Sequence, residues 1–404
     1  MKRSTISLLL VAAVALGTLS FAQDVQVVVT IPSDGRILVP EKLPPPDLTK
    51  AFSFHPRSLS KLSDAQIEQL AAHSGLPLWA YSIVAPDRRK AYTGQMVGTS
   101  PYASTKTSTS IPTIMIALKF SFMDASGNVA YVFDANAADS CAGGRSTVDL
   151  VNSSPILNSS PYTMNGVNVG TTQYVDAFQR ANFWQLVLGS NYHVYLNPSS
   201  SVNVDVVVPS GHWSVGFGTC SLFGTMAIQE WEHLVQTTLL GLVGATPNQL
   251  PLFYTRNVGF TINGACCALG YHNATGAGQT YSVAEFETSG YYPPSFADTA
   301  VLSHEVAEWM DDPLGNNPTP AWGHIGQVLG CQSNLEVADS FSGTNFNPTG
   351  VFMNGYTYHL QELAFYSWFF AGASTGSGGK YSNNQDPTLS FQGWAKPCPP
   401  GGTN

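Results

Sequence analysis

Residues 303–313 carry the side chains of this sequence that are best suited to chemistry. His304 and Glu308 stand four positions apart, so on a helix they lie one turn apart on the same face and can bind one ion. Glu305 lies beside them, where it can act as a general base. Imidazole nitrogens and carboxylate oxygens are ligands that zinc accepts. The spacing therefore predicts part of a zinc site on a helix.

A catalytic zinc ion needs a third protein ligand and an open fourth position. Glu336 and Asp339 supply two carboxylates at a spacing of three, after a loop rich in Gly, Pro and Asn. His272 lies in a Gly-rich stretch and is a further candidate, as a ligand or as a group that stabilises an oxyanion. His324 and His359 are weaker candidates of the same kind. From the residues alone, the choice between Glu336 and Asp339 stays open.

Two other interpretations of this segment also stay open. An exposed helix can carry surface carboxylates without an ion, although this one offers no Lys or Arg four positions on to pair with them. A hard-cation site built only from Asp and Glu oxygens would bind calcium and leave His304 outside it. Four tyrosines are candidate donors to a tetrahedral intermediate or ordinary packing residues: Tyr271, Tyr281, Tyr291 and Tyr292.

The pattern His304-Glu305-x-x-Glu308, followed about 27 residues later by Glu336-x-x-Asp339, resembles the active site of gluzincin-type zinc metallopeptidases. It is more similar still to secreted zincin-like proteins that share Ser-His-Glu-x-x-Glu, Asp-Pro, Ala-Trp and Glu-x-x-Asp in this order. The resemblance covers roughly residues 270–369, about a quarter of the chain. It implies a zinc ion on His304, Glu308 and either Glu336 or Asp339, with Asp339 favoured. Zinc would lower the pKa of a bound water toward 7, and Glu305 would accept its proton as hydroxide attacks a peptide carbonyl.

Glu308 departs from the gluzincin pattern, because a second histidine usually stands at this place. A carboxylate ligand adds negative charge and should make the zinc ion a weaker Lewis acid. The alternative function is therefore a secreted binding or cell-surface protein on a zincin-like scaffold without catalysis. For the peptidase, the partner is a peptide or protein substrate, and a strand over residues 279–286 would be the edge with which it pairs.

Sequence periodicity predicts the elements that must position these residues. The site helix would span residues 298–311, with Asp298 or Ser295 as N-cap, and would end at Asp312 because Pro313 disfavours helix in the residue before it. The other predicted elements are a hairpin (114–120 with 129–133), helices at 174–187, 226–240 and 360–370, and strands at 193–197, 201–208 and 251–258.

These elements predict an α+β fold in which a zincin-like C-terminal half, residues 246–404, carries the active-site helix. A mostly β N-terminal portion, residues 61–245, would precede it. Residues 1–22 have the charged start, apolar run and small-x-small cleavage site of a signal peptide, so we expect a secreted or periplasmic protein without a membrane span after cleavage. The Pro-rich residues 23–60 indicate an extended arm or a propeptide.

Six cysteines in an exported chain predict up to three disulfides, and the adjacent Cys266 and Cys267 are expected to reach different partners. Charged residues make up only 11% of the chain, and no basic run is long enough to follow a phosphate backbone, which excludes nucleic-acid binding. Residues 257–379 contain ten acidic residues and no Lys or Arg. These carboxylates are either solvated or neutralised by a metal ion or a distant Arg.

Overall fold

The computed structural model of the protein describes residues 25–31, 43, 64–85, 91–323, 331–342 and 349–383. Helices and strands are interleaved along the chain and strands predominate, which confirms the α+β class. The strands are β1 (Val25–Thr30), β2 (Leu78–Val84), β3 (Ala91–Val97), β4 (Ser108–Met123), β5 (Val129–Asp134), β6 (Ala138–Asp139), β7 (Arg145–Ser146), β8 (Ser160–Met164), β9 (Val167–Thr172), β10 (His193–Val208), β11 (Trp213–Phe217), β12 (Leu222–Ala227), β13 (Leu250–Arg256), β14 (Val258–Ile262), β15 (Ala265–Ala268), β16 (Gly270–Ala274), β17 (Thr280–Phe286), β18 (Pro318–Gly323), β19 (Cys331–Asn334), β20 (Thr349–Met353) and β21 (Tyr356–Leu360). The helices are α1 (Asp64–Ser74), α2 (Thr147–Asn152), α3 (Tyr174–Asn182), α4 (Trp184–Val187), α5 (Ile228–Leu234), α6 (Leu240–Leu242), α7 (Ala300–Asp311) and α8 (Tyr366–Phe369), with a π-helical turn at Val235–Leu239 and a 3-10 turn at Asp339–Phe341.

A large sheet with the order β1-β10-β4-β13-β17-β16 organises the molecule, and β5 pairs with β4 beside this path. Strands β1, β10, β4, β13 and β17 run parallel to one another, whereas β16 is antiparallel to β17. Strands from both the 61–245 and the 246–404 segments therefore form one continuous sheet. The expectation that residues 279–286 form the edge is wrong, because β17 lies between β13 and β16. All seven residues of β17 are buried, as in a strand covered on both faces.

Two hydrophobic cores cover the two faces of this sheet. One core packs α3, α7 and the aromatic C-terminal residues against it, and Phe178, Trp309 and Trp368 are fully buried there. The other core contains Trp231 of α5 together with Phe260 of the smaller sheet, which has the order β11-β12-β14-β15. Helix α7 is thus held between the sheet and the C-terminal segment, which is the setting of the predicted site.

Most predicted elements are confirmed with shifted bounds. The hairpin is β4 with β5, and the helix over 174–187 is divided into α3 and α4. The predicted strands 193–197 and 201–208 form one strand, β10, with an irregularity between Pro198 and Ser200. The helix predicted at 360–370 is wrong, since only Tyr366–Phe369 is helical and Leu360 completes β21. A short apolar run fits a buried strand as well as a buried helix, so periodicity could not separate them.

The covalent links and the chain ends are described only in part. Cys141 is joined to Cys220, which confirms a disulfide, whereas Cys266 and Cys267 are joined to each other rather than to different partners. Residues 1–22, Cys398 and most of the Pro-rich segment lie outside the described residues, although β1 places residues 25–30 in the large sheet. Among the described helices, none is both long and apolar enough to cross a bilayer.

Candidate metal centre

Helix α7 is fixed to the sheet by its buried face. Trp309 is fully buried, and its ring Nε1 donates to Thr280 Oγ1 of β17 at 3.0 Å. Because residues four apart share a helix face, this orientation turns His304 and Glu308 toward one region beside β16.

Asp298 anchors the start of α7, although it is not the N-cap. The helix begins after Thr299, so both predicted N-caps, Asp298 and Ser295, are wrong. The Asp298 carboxylate instead accepts the backbone N–H of His359 at 2.7 Å and lies 2.5 Å from His359 Nδ1. That hydrogen bond raises the pKa of His359, against the opposing effect of burial. His359 therefore ties β21 to α7.

Asp312 ends α7 and turns the chain back, as Pro313 predicts. The Asn316 and Asn317 N–H groups donate to Asp312 Oδ1 at 2.8 and 3.0 Å. Leu335 N–H then donates to the Asn317 carbonyl at 3.0 Å, which brings residues 331–342 alongside α7. This return places both downstream acidic residues next to the helix.

His304, Glu308 and Asp339 converge on one position, and we call them the His304 group. His304 Nε2 lies 3.0 Å from Glu308 Oε2 and 3.4 Å from Asp339 Oδ1. Ligand atoms about 2.0–2.2 Å from a tetrahedral zinc ion are about 3.4 Å from each other. The separations are compatible with three ligands of one ion, and the three residues are the ligand set that the family resemblance favours.

Gln361 determines which nitrogen of His304 faces the carboxylates. The Gln361 side-chain Nε2 donates to the Ala338 carbonyl at 2.9 Å, so its Oε1, 3.0 Å from His304 Nδ1, is an acceptor. A neutral imidazole consequently carries its proton on Nδ1 and directs the lone pair of Nε2 at Glu308 and Asp339. Metal-binding histidines are commonly oriented in this way.

The two carboxylates of the His304 group are held by their other oxygens. Glu308 Oε1 accepts the backbone N–H groups of Ala338 and Asp339 at 3.1 and 2.9 Å. Asp339 Oδ2 accepts the side-chain amide of Gln332 at 2.5 Å. Glu308 Oε2 and Asp339 Oδ1 are the oxygens nearest to His304.

His272, Glu305 and Glu308 form a second convergence, which we call the His272 group. His272 Nδ1 lies 3.7 Å from Glu305 Oε2 and 3.8 Å from Glu308 Oε2, while its Nε2 lies 3.9 Å from Glu336 Oε2. The close approach of Glu305 to β16 depends on Gly270, where a Cβ atom would lie 2.6 Å from Glu305 Cγ. Glu336 therefore lies on the His272 side and Asp339 on the His304 side.

The structure thus brings together all six predicted site residues, His272, His304, Glu305, Glu308, Glu336 and Asp339, which we call the site cluster.

The site cluster concentrates buried negative charge. Glu305, Glu308, Glu336 and Asp339 are all buried, and residues 257–379 contain no Lys or Arg. Burial raises the pKa of Glu336, and the charges of Glu308, Asp312 and Asp339 raise it further. Burial also raises the pKa of Glu305, against the lowering effect of His304. Buried carboxylates need protons or cations to neutralise them, and a divalent ion would fill that role here.

Both histidines of the site cluster respond to this charge. Burial alone would lower the pKa of His304, but the charges of Glu308 and Glu305 and a hydrogen bond with Asp339 raise it well above its usual value. The pKa of His272 is also raised, since Glu305 and Glu308 outweigh its burial. The carboxylates therefore favour the protonated form of both histidines.

The remaining candidates lie elsewhere. Tyr271 and Tyr281 belong to the opposite core and donate to the carboxylate of Glu232, so they are not donors to the site cluster. Tyr291 and Tyr292 pack against Phe223 with ring centroids 5.0 and 5.3 Å away. His324 lies outside the described residues.

The sequence did not reveal the orienting amides. Gln332 lies four residues before Glu336, close enough in the chain to have been considered. Gln361 lies 57 residues from His304, and no local pattern points to it.

No family model matches the chain, and neither does any curated protein or solved structure. The functional interpretation therefore depends on the geometry and charge of the site cluster.

Proposed function

We propose that the protein is a secreted zinc-dependent peptidase whose reaction takes place at the His304 group. The observation that carries the proposal is His304 Nε2, which faces two carboxylate oxygens at 3.0 and 3.4 Å while Gln361 holds the opposite ring nitrogen. One nitrogen and two oxygens form a donor set that suits zinc. When bound, the ion would polarise a substrate carbonyl and lower the pKa of a water molecule.

Glu305 is placed to act as the general base. Its carboxylate lies 3.9 Å from His304 Nε2, so it borders the same position as the ligands without belonging to the His304 group. Burial raises its pKa toward the range in which a base works best near neutral pH. His272 Nδ1 lies 3.7 Å from this carboxylate on the β16 side.

The exposed fractions of the site side chains support a substrate that approaches from the side of His304. The His304 side chain is 13% exposed, whereas those of Glu305, Glu308 and Asp339 are 6% exposed or less. An extended peptide would therefore present its carbonyl from the His304 side. Secretion is supported by the Cys141–Cys220 disulfide, because such links persist in oxidising compartments, and by the signal-like residues 1–22.

A cleavage assay on a denatured protein substrate tests this proposal. We expect the mature chain to cleave it, and Glu305→Gln to cleave about 10²–10⁴-fold more slowly while an ion stays on the His304 group. Glu285→Gln is the matched control, since Glu285 is a buried glutamate outside the site cluster and should keep wild-type activity.

A wild-type cleavage rate in Glu305→Gln would contradict the role of Glu305 as base. A chain that binds zinc but hydrolyses no peptide would instead support the alternative function, a secreted binding protein on a metal-bearing scaffold.

A further inference from the structure

We propose that the site cluster contains a second divalent metal site, formed by the His272 group, and that Glu308 is shared between the two ions. This site rests on the proposed function only in that Glu308 also belongs to the His304 group. Among the described residues, the two convergent groups have only Glu308 in common, and neither contains both histidines. A single ion in this arrangement would therefore use one histidine, not two.

The separations within the His272 group fit ion ligands better than hydrogen-bond partners. His272 Nδ1 lies 3.7 and 3.8 Å from the oxygens of Glu305 and Glu308. Hydrogen bonds between nitrogen and oxygen measure about 2.7–3.2 Å, whereas two ligands of one zinc ion lie about 3.4 Å apart. The three ligand atoms lie within 4.8 Å of one another, and both separations from His272 Nδ1 are longer than a hydrogen bond of ordinary length.

The His272 ring supplies an independent reason for an ion. Its side chain is 4% exposed, and Nε2 has no hydrogen-bond partner in the described part of the chain. A buried polar atom without a partner destabilises the folded chain and needs an explanation. If Nδ1 binds an ion, the proton resides on Nε2 and faces the Glu336 carboxylate, whose Oε2 lies 3.9 Å away, longer than a hydrogen bond.

The charge of the site cluster also favours two ions. Its four carboxylates, Glu305, Glu308, Glu336 and Asp339, carry −4 once metal binding has displaced the protons of the carboxylates and histidines, and no Lys or Arg occurs within residues 257–379. One divalent ion leaves −2, and a second brings the total to zero. The second ion binds more weakly, because the first already shares the charge of Glu308.

A second ion would change the role of Glu305. A carboxylate that binds a cation is a poor proton acceptor, so the base of the proposed reaction is blocked when the His272 group is filled. We therefore expect the first equivalent of zinc to support hydrolysis and a second to inhibit it.

Calorimetric titration of the metal-free mature chain with Zn²⁺ alone measures the number of sites. The wild-type protein should bind about two equivalents, and His272→Ala about one. Glu305→Gln, which keeps the shape of the side chain, should also bind about one equivalent, so the test survives if His272→Ala fails to fold. His73→Ala removes an exposed histidine outside the site cluster and should leave the wild-type stoichiometry unchanged.

Mn²⁺ provides a second readout, since two ions that share Glu308 should give an exchange-broadened electron paramagnetic resonance spectrum at two equivalents. A single equivalent of zinc in the wild type, or two equivalents that persist in both variants, would overturn the second site and leave the peptidase proposal intact. Failure to bind any zinc would overturn both.

Discussion

At the residue scale, the chemistry of the site cluster depends on which atom of each side chain remains available to an ion. Gln361 holds Nδ1 of His304, and two backbone N–H groups hold one oxygen of Glu308. Gln332 holds one oxygen of Asp339. Each ligand is thus restrained through one atom while another atom faces the shared position, which reduces the ordering cost of metal binding.

Removal of the Gln361 side chain should weaken zinc binding without removing a ligand. We expect Gln361→Ala to lower the affinity of the His304 group about 10–100-fold, because the imidazole loses the acceptor that fixes its tautomer and orientation. Competition with a chelating dye measures this affinity. Gln173→Ala is a suitable control, since Gln173 is also buried and its side-chain amide bonds to the Leu157 and Leu196 carbonyls rather than to a residue of the site cluster. Equal zinc affinity in the wild type and Gln361→Ala would contradict the positioning role.

Zinc affinity should rise with pH. Burial opposes protonation of His304, but the charges of Glu308, Glu305 and Asp339 dominate and hold its pKa well above the usual value. The ring therefore keeps its proton to a higher pH than an ordinary imidazole, and that proton must leave before Nε2 can bind an ion. Affinity should fall about tenfold per pH unit for each proton displaced as the pH decreases. Dissociation constants measured between about pH 6 and about pH 8 test this, and a flat profile would contradict it.

The residue types of the proposed ligands made these residues predictable. The residue types of the amides that hold the ligands in place did not make those amides predictable. His304, Glu305 and Glu308 share a helical spacing, and Glu336 and Asp339 follow in a recognisable order. Gln332 and Gln361 are ordinary amides whose roles appear only when the chain has folded. The choice between the two downstream carboxylates also needed distances, since both lie beside the cluster but face different histidines.

At the scale of elements, the site is the contact between helix α7 and strand β16. The strand carries His272 and the helix carries His304, Glu305 and Glu308, so the separation of the two elements determines the distances from His272 to Glu305 and Glu308. Gly270 permits this separation, because a side chain there would meet Glu305.

Gly270→Ala should therefore displace Glu305 and slow hydrolysis. Its Cβ atom would lie 2.6 Å from Glu305 Cγ and Oε1, and a shift of about 1 Å in a catalytic group can cost about 10²-fold in rate. Gly276→Ala is the matched control, since nothing lies within 4 Å of a Cβ at this position. Cleavage rates and thermal unfolding midpoints of both variants distinguish a local effect from loss of fold. Unchanged hydrolysis in Gly270→Ala would contradict the placement of Glu305.

Local sequence patterns predicted which helices and strands exist better than they predicted which strands pair with one another. The end of α7 follows from Pro313, and the β4–β5 hairpin follows from the turn residues between its strands. The position of β17 inside the sheet depends on pairing with β13 and β16, which no window of sequence contains. The same limit applies to residues 360–370, where burial was predictable and conformation was not.

At the scale of the whole molecule, the acidic residues within 257–379 have several different structural roles. Four of its ten acidic residues belong to the site cluster. Others have structural partners, such as Asp298 with His359 and Asp312 with the turn after α7. The unbalanced charge left open whether these carboxylates are solvated or neutralised by a metal ion or a distant Arg, and only the folded chain shows which of them are gathered around one position.

The Cys141–Cys220 disulfide links distant parts of this fold. It joins residues 79 apart, and Cys220 N–H donates to the Ser289 carbonyl of the C-terminal segment at 2.8 Å. Replacement of both cysteines by serine should lower the free energy of unfolding by about 2–4 kcal/mol, mainly because the unfolded chain gains freedom. Denaturant unfolding measures this loss, and zinc content should stay unchanged since neither cysteine belongs to the site cluster. Equal stability of the two proteins would contradict the structural role of this link.

The metal content of the purified mature chain tests whether the His304 group binds zinc. After dialysis against metal-free buffer, the wild-type protein should retain about one zinc ion per chain on the His304 group. His304→Ala, with a circular dichroism spectrum like that of the wild type, should retain less than about a tenth of that amount. A wild-type protein without any transition metal, or a folded His304→Ala with the same zinc content as the wild type, would contradict the proposed metal centre.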